Sequence, residues 1–514
     1  MEKLHKIVVK NTCIIINDYE FNSNPQLENY FRIYDPVTHG YYYVGIYYDK
    51  ENKRLFLPRG IDIYFVEKIF NAVAYVEKNQ YYPYDTSNRI LIKYMPKDDV
   101  QKQALRFMLG EGEYRDTKYK SQLHVNLNTG KGKTYVSIAA LAYTGIKGMI
   151  ITYSVDILRQ WSDRVQEYCN IKPSEIYIIN GDGYGSIKNL LNRTPDQLSK
   201  YKLFLVTHST LKTYGDTNGW DKIGELFKYL RIGIKIFDEA HQNFTNTCMI
   251  DFYTNVYKTY YLTATPGRSN ADENRIYQLA FKNVLAIDLF DKENDPHTDY
   301  VSFIYNSHPE PQVISRCKNQ YGLDRNKYVN YITVQEKFKQ AFVILMEIVL
   351  PDIMYGDKCL IYIGTNEGIY NVYNYFIEIF PEWAHYTGIY SSVVSNEEKL
   401  IALSKSIIFT TTKSAGAALD LPGLKYTILL AEPFKSEVLT QQTLGRTRAA
   451  NTFYFELVDK GFYHCKKFYR YKKPIFAKYA KTCTEIDIND NELESRFNRI
   501  IEKRQKLTYP IKYN

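Results

Sequence analysis

The chain has 514 residues, 45% of them hydrophobic and 24% charged, with a formal net charge of +9 and seven scattered cysteines. That length suggests about three domains of ~100–200 residues each, and the ordinary composition excludes a disordered or fibrous chain. No run approaches the ~18 apolar residues of a membrane helix, no Cys-x-x-Cys pair signals zinc or a disulfide framework, and the mixed-charge stretch Met1 to Asp18 lacks a signal-peptide core.

A reducing, cytoplasmic setting is therefore expected, with the cysteines acting as small buried hydrophobes. The mild positive excess permits a polyanion partner. Fifty tyrosines are what an AT-rich genome would produce without any functional reason.

Residues 1–95 read as a small β-rich N-terminal domain. Tyr41 to Tyr48 is strand-like, Asp49 to Lys53 turn-like and Arg54 to Leu57 strand-like again, which is a hairpin signature. Pro58-Arg59-Gly60 then breaks the pairing, and Ile61 to Ala74 has helical spacing. From residue 96 short apolar strands alternate with amphipathic helices: Met149 to Thr152, Leu203 to Val206, Ile232 to Phe237 and Tyr260 to Leu262 are strand candidates. That rhythm is the one of a parallel α/β sheet. A less regular stretch, 283–335, carries Pro296, Pro309 and Pro311 and reads as a connection. The rhythm then resumes at Cys359 to Ile363, Ile407 to Phe409, Tyr426 to Leu430 and Phe453 to Val458. The expected division is 1–95, 96–285, a connecting segment 286–335, a second α/β unit 336–458, and a C-terminal extension 459–514.

Two clusters carry chemistry. Asn128-Thr129-Gly130-Lys131-Gly132-Lys133-Thr134 follows an apolar stretch and precedes a helix-like one. A glycine-rich turn ending Gly-Lys-Thr is the phosphate cradle of a P-loop: backbone N–H groups hold phosphate oxygens, Lys133 reaches the β- and γ-phosphates, and the Thr134 hydroxyl ligates Mg²⁺. Leu127 stands where the pattern prefers Gly or Ala. Asp238-Glu239-Ala240-His241 follows the strand candidate at 232–237. In open α/β sheets ligands bind beyond the carboxyl ends of strands. There Asp238 would hold Mg²⁺, and Glu239 would orient and deprotonate an attacking water.

With Leu262-Thr263-Ala264-Thr265-Pro266, the Asp-Glu-Ala-His cluster resembles motifs II and III of superfamily 2 helicases of the DEAD/DEAH type. Other motifs follow in order over about residues 96–458. Gln101 resembles the adenine-reading glutamine; Thr152-Tyr153-Ser154 with Leu158, Gln160 and Trp161 resembles motif Ia. Val206 to Leu211 resembles the strand-end threonine motif that touches nucleic acid. Leu360 to Thr365 resembles motif IV, Thr410 through Asp420 motif V, and Gln442 to Arg448 motif VI. Motif V has Ala418 where glycine is usual, and the second arginine of motif VI comes one position early, at Arg448. Within the superfamily the chain looks most like compact phage helicases of the UvsW type, related to the XPB and RecG branch.

This resemblance implies two tandem RecA-like domains clamping ATP, with Mg²⁺ as cofactor. It implies nucleotide contacts at Gln101, Asn128 to Thr134, Asp420 and Gln442. Arg446 and Arg448 would supply transition-state charge, either being the arginine finger. His241, Thr263 and Thr265 would couple the ATP site to nucleic acid, which Thr152, Thr207, Thr365 and Thr411 would touch. The expected activity is an ATP-dependent DNA helicase or translocase acting on forked, branched or single-stranded DNA in phage replication, recombination or repair, in the host cytoplasm. The expected state is a monomer, within a replication or repair assembly. An RNA or transcription-complex motor, like poxviral transcript-release helicases, is the alternative, and a nucleic-acid-binding module with a weak motor is a third.

The last part of the chain bears on the partner. Residues 460–482 hold eight Lys or Arg, including Lys466, Lys467 and Arg470, no acid, and interleaved aromatics such as Tyr463, Tyr469 and Tyr471. Cations for phosphates and rings for bases suit single strands or forks; a solvated helix anchored by its rings reads the same way. Arg59 is a DNA-contact candidate through the resemblance of its module, or part of a tight turn.

Overall fold

The computed structural model describes residues 6–35, 38–77, 90–127, 131–179, 183–263, 271–289, 298–320, 322–354, 356–412, 414, 421–444 and 451–507. The chain divides into two compact units, residues 1–291 and 292–514.

The first unit opens with strands β1 (Ile7–Val9), β2 (Cys13–Ile16), β3 (Arg32–Asp35), β4 (Gly40–Tyr43), β5 (Tyr47–Asp49), β6 (Arg54–Pro58) and β7 (Ala74–Val76). Five of them form a sheet in the order β5-β6-β2-β1-β7, while β3 and β4 pair separately. The expected hairpin is present as β5 against β6, with Tyr47 opposite Phe56 and Asp49 opposite Arg54. Its first strand is shorter than the tyrosine run suggested. Gly45, at φ +77°, turns the chain inside that run, and its Cα lies where a Cβ would meet Ile276 and Phe244. Tyr41 to Tyr43 therefore pair with β3 instead. A run of β-favouring residues does not encode the turn; one glycine does.

The N-terminal sheet does not close a core of its own. Ile14, Leu55 and Leu57 share a buried cluster with Phe252 and Tyr277 of the helices Phe244–Tyr253 and Ala271–Phe281. Asn11 Nδ2 donates to the Val256 carbonyl at 3.0 Å, and Gln122 Nε2 to that of Thr12 at 3.1 Å.

The rest of the unit is built on β8 (Gln122–Leu127), β9 (Gly148–Thr152), β10 (Ile176–Ile179), β11 (Leu203–Thr207), β12 (Ile234–Phe237), β13 (Lys258–Thr263) and β14 (Leu285–Leu289). They form a seven-stranded parallel sheet ordered β10-β11-β9-β12-β13-β8-β14. Every residue of β9, β11, β12 and β13 is buried. This is why they read as largely apolar runs, since helices cover both faces of a parallel sheet; the buried lysines among them are paired, Lys235 with Asp251 and Lys258 with the Thr117 carbonyl. Rings line up across the strands. His208 stacks on Phe237 at 5.5 Å, Phe237 on Tyr261 at 5.6 Å, and Tyr261 on His124 at 6.3 Å. His124 has the Tyr277 hydroxyl at 2.8 Å. Both nitrogens of His208 are buried without a hydrogen-bond partner among the described residues.

The second unit carries β15 (Thr298–Tyr305), β16 (Lys318–Asn319), β17 (Gly322–Leu323), β18 (Lys358–Ile363), β19 (Thr387–Tyr390), β20 (Ile407–Thr410), β21 (Leu424–Ala431), β22 (Thr452–Asp459) and β23 (Thr482–Asp487). Its seven-stranded sheet runs β19-β20-β18-β21-β22-β15-β23 and is parallel throughout. The fold is thus α/β, two tandem RecA-like sheets with a small sheet domain in front. The segment expected to connect the units supplies β15, an inner strand, and the C-terminal extension supplies β23. The helix Asp490–Leu507 lies on the helix Glu336–Val349, with ion pairs Lys337–Glu494 at 2.5 Å and Lys503–Glu347 at 2.9 Å.

Candidate nucleotide site and nucleic-acid surfaces

The carboxyl ends of β8, β9, β11, β12 and β13 carry Leu127, Thr152, Thr207, Phe237 and Thr263 on one edge of the first sheet. Leu127 is fully buried as the last strand residue, so its irregularity belongs to the core and not to the cradle. Asn128, Thr129 and Gly130 lie outside the described residues. Beyond them Gly132, at φ +91°, caps the helix Lys133–Thr144 with no side-chain hydrogen bond. The N–H groups of that first turn have no intrahelical acceptor, which together with the helix dipole makes an anion site. Gln101 closes the cradle from one side. Its backbone N–H bonds Asp98 at 2.8 Å, its Oε1 accepts from the Lys97 N–H at 3.0 Å, and its Nε2 donates to the Lys131 carbonyl at 3.4 Å. A Cβ on Gly132 would sit 2.2 Å from Gln101 Nε2.

The acidic turn follows β12. Asp238 N–H bonds the Ile151 carbonyl at 2.9 Å and Ala240 N–H that of Leu262 at 3.0 Å, which fixes the turn between β9 and β13. Glu239 adopts φ +48°, a left-handed conformation that costs a non-glycine residue of order 1 kcal/mol. It faces the cradle: Lys133 Nζ donates to Glu239 Oε1 at 2.7 Å. Asp238 accepts the Trp161 indole N–H at 2.8 Å. Burial, then the neighbouring Glu239 charge, push Asp238 up to about 6, against the opposing influence of Lys133 and Trp161. His241 Nδ1 lies 2.8 Å from Thr263 Oγ1 and 3.4 Å from Glu239 Oε2. Lys133, Glu239, His241 and Thr263 are thus linked in series through short contacts, with Asp238 next to Glu239 in the chain; Thr265 lies outside the described residues.

These groups fit a magnesium nucleotide. Mg²⁺ prefers one or two carboxylates plus waters and phosphate oxygens over an all-protein cage. Among the described residues there is no cluster of three or more His, Cys, Asp or Glu able to hold a metal; Thr134, in the first turn after Gly132, and Asp238 are the residues that would hold Mg²⁺ beside phosphate oxygens.

Of the threonines expected to meet nucleic acid, Thr152, Thr207 and Thr365 begin or flank helices, and Thr411 begins a turn. Thr152 Oγ1 donates to the Ser154 carbonyl at 3.0 Å, and Thr207 Oγ1 accepts from Thr210 N–H at 3.1 Å. In the second unit Thr365 Oγ1 accepts from Gly368 N–H at 3.0 Å and Thr411 Oγ1 from Ser414 N–H at 3.0 Å. Each therefore sets a helix or turn start, a place where free N–H groups meet phosphate oxygens. Arg59 is elsewhere. The Gly60 carbonyl accepts from Asn283 N–H at 3.0 Å, at the amino end of β14. That is the end of the sheet opposite the cradle, so the structure does not bring Arg59 to the strand-end threonines. Burial lowers the Arg59 guanidinium below its ordinary range.

Residues 463–479 form one helix, Tyr463–Tyr479. Its buried face is Cys465, Tyr469, Lys472 and Phe476, so rings anchor the helix and its other side is solvated. Lys472 is spent on buried Glu456, and Lys473 on Glu485 at 2.7 Å. Lys466, Lys467 and Arg470 remain exposed beside Tyr463 and Tyr471. Asp420, Arg446 and Arg448 lie outside the described residues, as does the side chain of Gln442 in the helix Glu437–Leu444.

Two arrangements escaped the sequence reading. The Trp161 bond to Asp238 joins residues far apart in sequence, although both sit in recognised motifs. In the second unit Arg325 pairs with Glu432, whose side chain is wholly buried, and reaches Thr412 Oγ1 at 3.4 Å. Burial raises the Glu432 carboxyl even so. No motif pointed to this pair, and a lone arginine at the start of a helix carries no signal.

Residues 94–268 match the family described as "Type III restriction enzyme, res subunit". Over this region the chain is similar to the superfamily 2 helicases, which are NTP-dependent enzymes. In particular it is similar to transcript termination protein A18 of Yaba-like disease virus, 24% identical over 348 residues, which are 65% of this chain and 66% of the relative, just under two thirds. The putative DNA 3'-5' helicase Rad25 of Haloarcula marismortui is 27% identical over 152 residues, 29% of this chain and 21% of the relative. Among solved structures, a fragment of a putative HsdR subunit of a type I restriction enzyme from Vibrio vulnificus covers 89% of this chain and 78% of its own, with a TM-score of 0.50 and 12% identity. T4 UvsW covers 94% of this chain and 99% of its own, with a TM-score of 0.36 and 15% identity. Among the described residues no helix is long and apolar enough to cross a membrane.

Proposed function

We propose that the protein hydrolyses ATP to move along nucleic acid, and that its substrate is DNA in forked, branched or single-stranded form. One observation carries the motor reading: Lys133 of the phosphate loop and Glu239 of the acidic turn meet at 2.7 Å, with Asp238 alongside. Phosphates entering the cradle compete with Glu239 for Lys133. That exchange frees the Glu239 carboxylate to take a proton from water as the γ-phosphoryl leaves. Thr134 and Asp238 would hold Mg²⁺, which would neutralise charge on the transferring group. Gln101 and the turn Lys131-Gly132 hold the nucleotide; Asn128 to Gly130, Asp420 and Gln442 are its further expected contacts. Arg446 and Arg448 are the proposed source of transition-state charge.

Phosphates of the nucleic acid meet the helix starts at Thr152, Thr207 and Thr365 and the turn at Thr411. His241 and Thr263, already within hydrogen-bond distance, and Thr265 relay the state of Glu239 to that strand. Lys466, Lys467 and Arg470 add charge to the same partner. The test is ATPase activity on forked DNA, four-way junctions, single strands and RNA, with Lys133→Ala as control. Stimulation by DNA in the wild type and its loss in the variant support the reading, and stimulation by RNA alone overturns the DNA assignment.

The similarity to a transcript termination protein over 65% of the chain favours a second reading, a motor that acts on a transcription complex. Release of transcripts from a stalled polymerase on ATP addition would favour that reading over branch remodelling.

A further inference from the structure

The Trp161 indole has one polar hydrogen and spends it on Asp238 Oδ2 at 2.8 Å. Trp161 is 3% exposed and Asp238 9%, so water does not compete for this bond. An indole N–H donates and never accepts. It therefore fixes one carboxylate oxygen while offering a cation nothing itself, and the other oxygen is left out of the bond.

The placement of Trp161 adds a second property. Thr152 ends β9 and its hydroxyl bonds the Ser154 carbonyl at 3.0 Å. Ser154 caps the helix Val155–Tyr168, its side chain accepting from Ile157 N–H at 3.4 Å. Trp161 lies two turns into that helix, where Ile157, Leu158 and Val165 are buried with it. From Thr152 to the indole the chain is thus one hydrogen-bonded, packed element. A shift at its start moves the indole with it, and the indole holds the Asp238 carboxylate.

We propose that Trp161 is a positioning residue: its N–H orients Asp238 for Mg²⁺ and carries the state of the Thr152–Ser154 contact to the nucleotide site. This rests on the nucleic-acid-driven ATPase reading above. Ligand-orienting partners of metal sites are worth ~10–100-fold in metal affinity, and that scale sets the expected effect.

The test compares wild type with Trp161→Phe, and with a protein carrying β-(3-benzothienyl)alanine at 161, which keeps the ring shape and replaces N–H by sulfur. Binding of a fluorescent mant-ATP is followed while Mg²⁺ is titrated, and again in EDTA. The expected result is a tenfold or larger rise in the Mg²⁺ needed for half-maximal binding in both variants, with metal-free binding unchanged and a smaller factor of ATPase stimulation by DNA. A wild-type Mg²⁺ requirement in the benzothienyl protein overturns the proposal, even if Trp161→Phe is destabilised by poorer packing. If the wild type itself shows Mg²⁺-dependent nucleotide binding but no stimulation by any nucleic acid, the functional reading fails and the orienting role is judged on the Mg²⁺ titration alone.

Discussion

Replacing His208 by Phe should stabilise the first unit, and the gain should grow in acid. The ring is 1% exposed and stacks on Phe237 at 5.5 Å with an interplanar angle of 20°, a place a phenyl ring fills equally well. Neither nitrogen has a partner among the described residues, and stranding a buried polar group costs about 1–3 kcal/mol. Phe should therefore gain about 1 kcal/mol at pH 8. Burial lowers the imidazole from its ordinary 6.5 to about 3. The unfolded chain binds the proton near 6.5 and the folded one only near 3, so this contribution to stability is complete above the unfolded value and is lost as pH falls between the two. At pH 5 the linkage loss is about 2 kcal/mol, which the variant does not suffer. The gap between His208→Phe and wild type should widen from about 1 kcal/mol at pH 8 to about 3 kcal/mol at pH 5. Urea unfolding followed by tryptophan fluorescence reads it, because Trp161 and Trp220 lie in the first unit and Trp383 in the second. A gap that stays constant between the two pH values refutes the reasoning, since it would mean that the imidazole is protonated, or solvated, in the folded state.

Gly132→Ala forces a Cβ to 2.2 Å from Gln101 Nε2 at a backbone φ of +91°, and should cost at least tenfold in mant-ATP affinity with the unfolding midpoint of the second unit unchanged. Glu239→Gln keeps the shape of the turn and removes the base: nucleotide binding should persist while hydrolysis falls by about 10²–10⁴-fold, read by equilibrium binding beside steady-state phosphate release. Substituting Lys466, Lys467 and Arg470 together by Gln should flatten the dependence of DNA affinity on salt by up to about three in log–log slope, about one for each phosphate no longer neutralised. An unchanged slope in fluorescence anisotropy would assign that helix face to solvent alone.

Much of the fold was legible because buried parallel strands are mostly apolar: β9, β11, β12 and β18 stand within a residue or two of their expected places. The placement of Lys133 at a helix start and of Asp238-Glu239 directly after β12 was legible for a different reason, since phosphate and Mg²⁺ chemistry would ask for such residues at strand ends. What stayed hidden depends on three-dimensional juxtaposition. Nothing local marks Thr298 to Tyr305 as an inner strand, because its two neighbours, β22 and β23, lie far downstream. Nor does periodicity reveal Trp161 on Asp238 or Arg325 on Glu432, each pair closed by long-range packing. The break at Gly45 was visible as a glycine, but its cause, the side chains of Phe244 and Ile276 on a later helix pair, was not.

The placing of β15 beside β23 has a mechanical consequence. The strands are parallel and paired from Asp299 opposite Thr482 to Ile304 opposite Asp487. One opens the second unit and the other nearly ends it, so tension on the unit's two ends pulls the pair in opposite directions along the strands. Their ladder is loaded in shear, with its hydrogen bonds sharing the force, instead of being unzipped one bond at a time. In a protein that would exert force on a polymer, the second sheet is thereby fastened where a tug on the chain would first be felt.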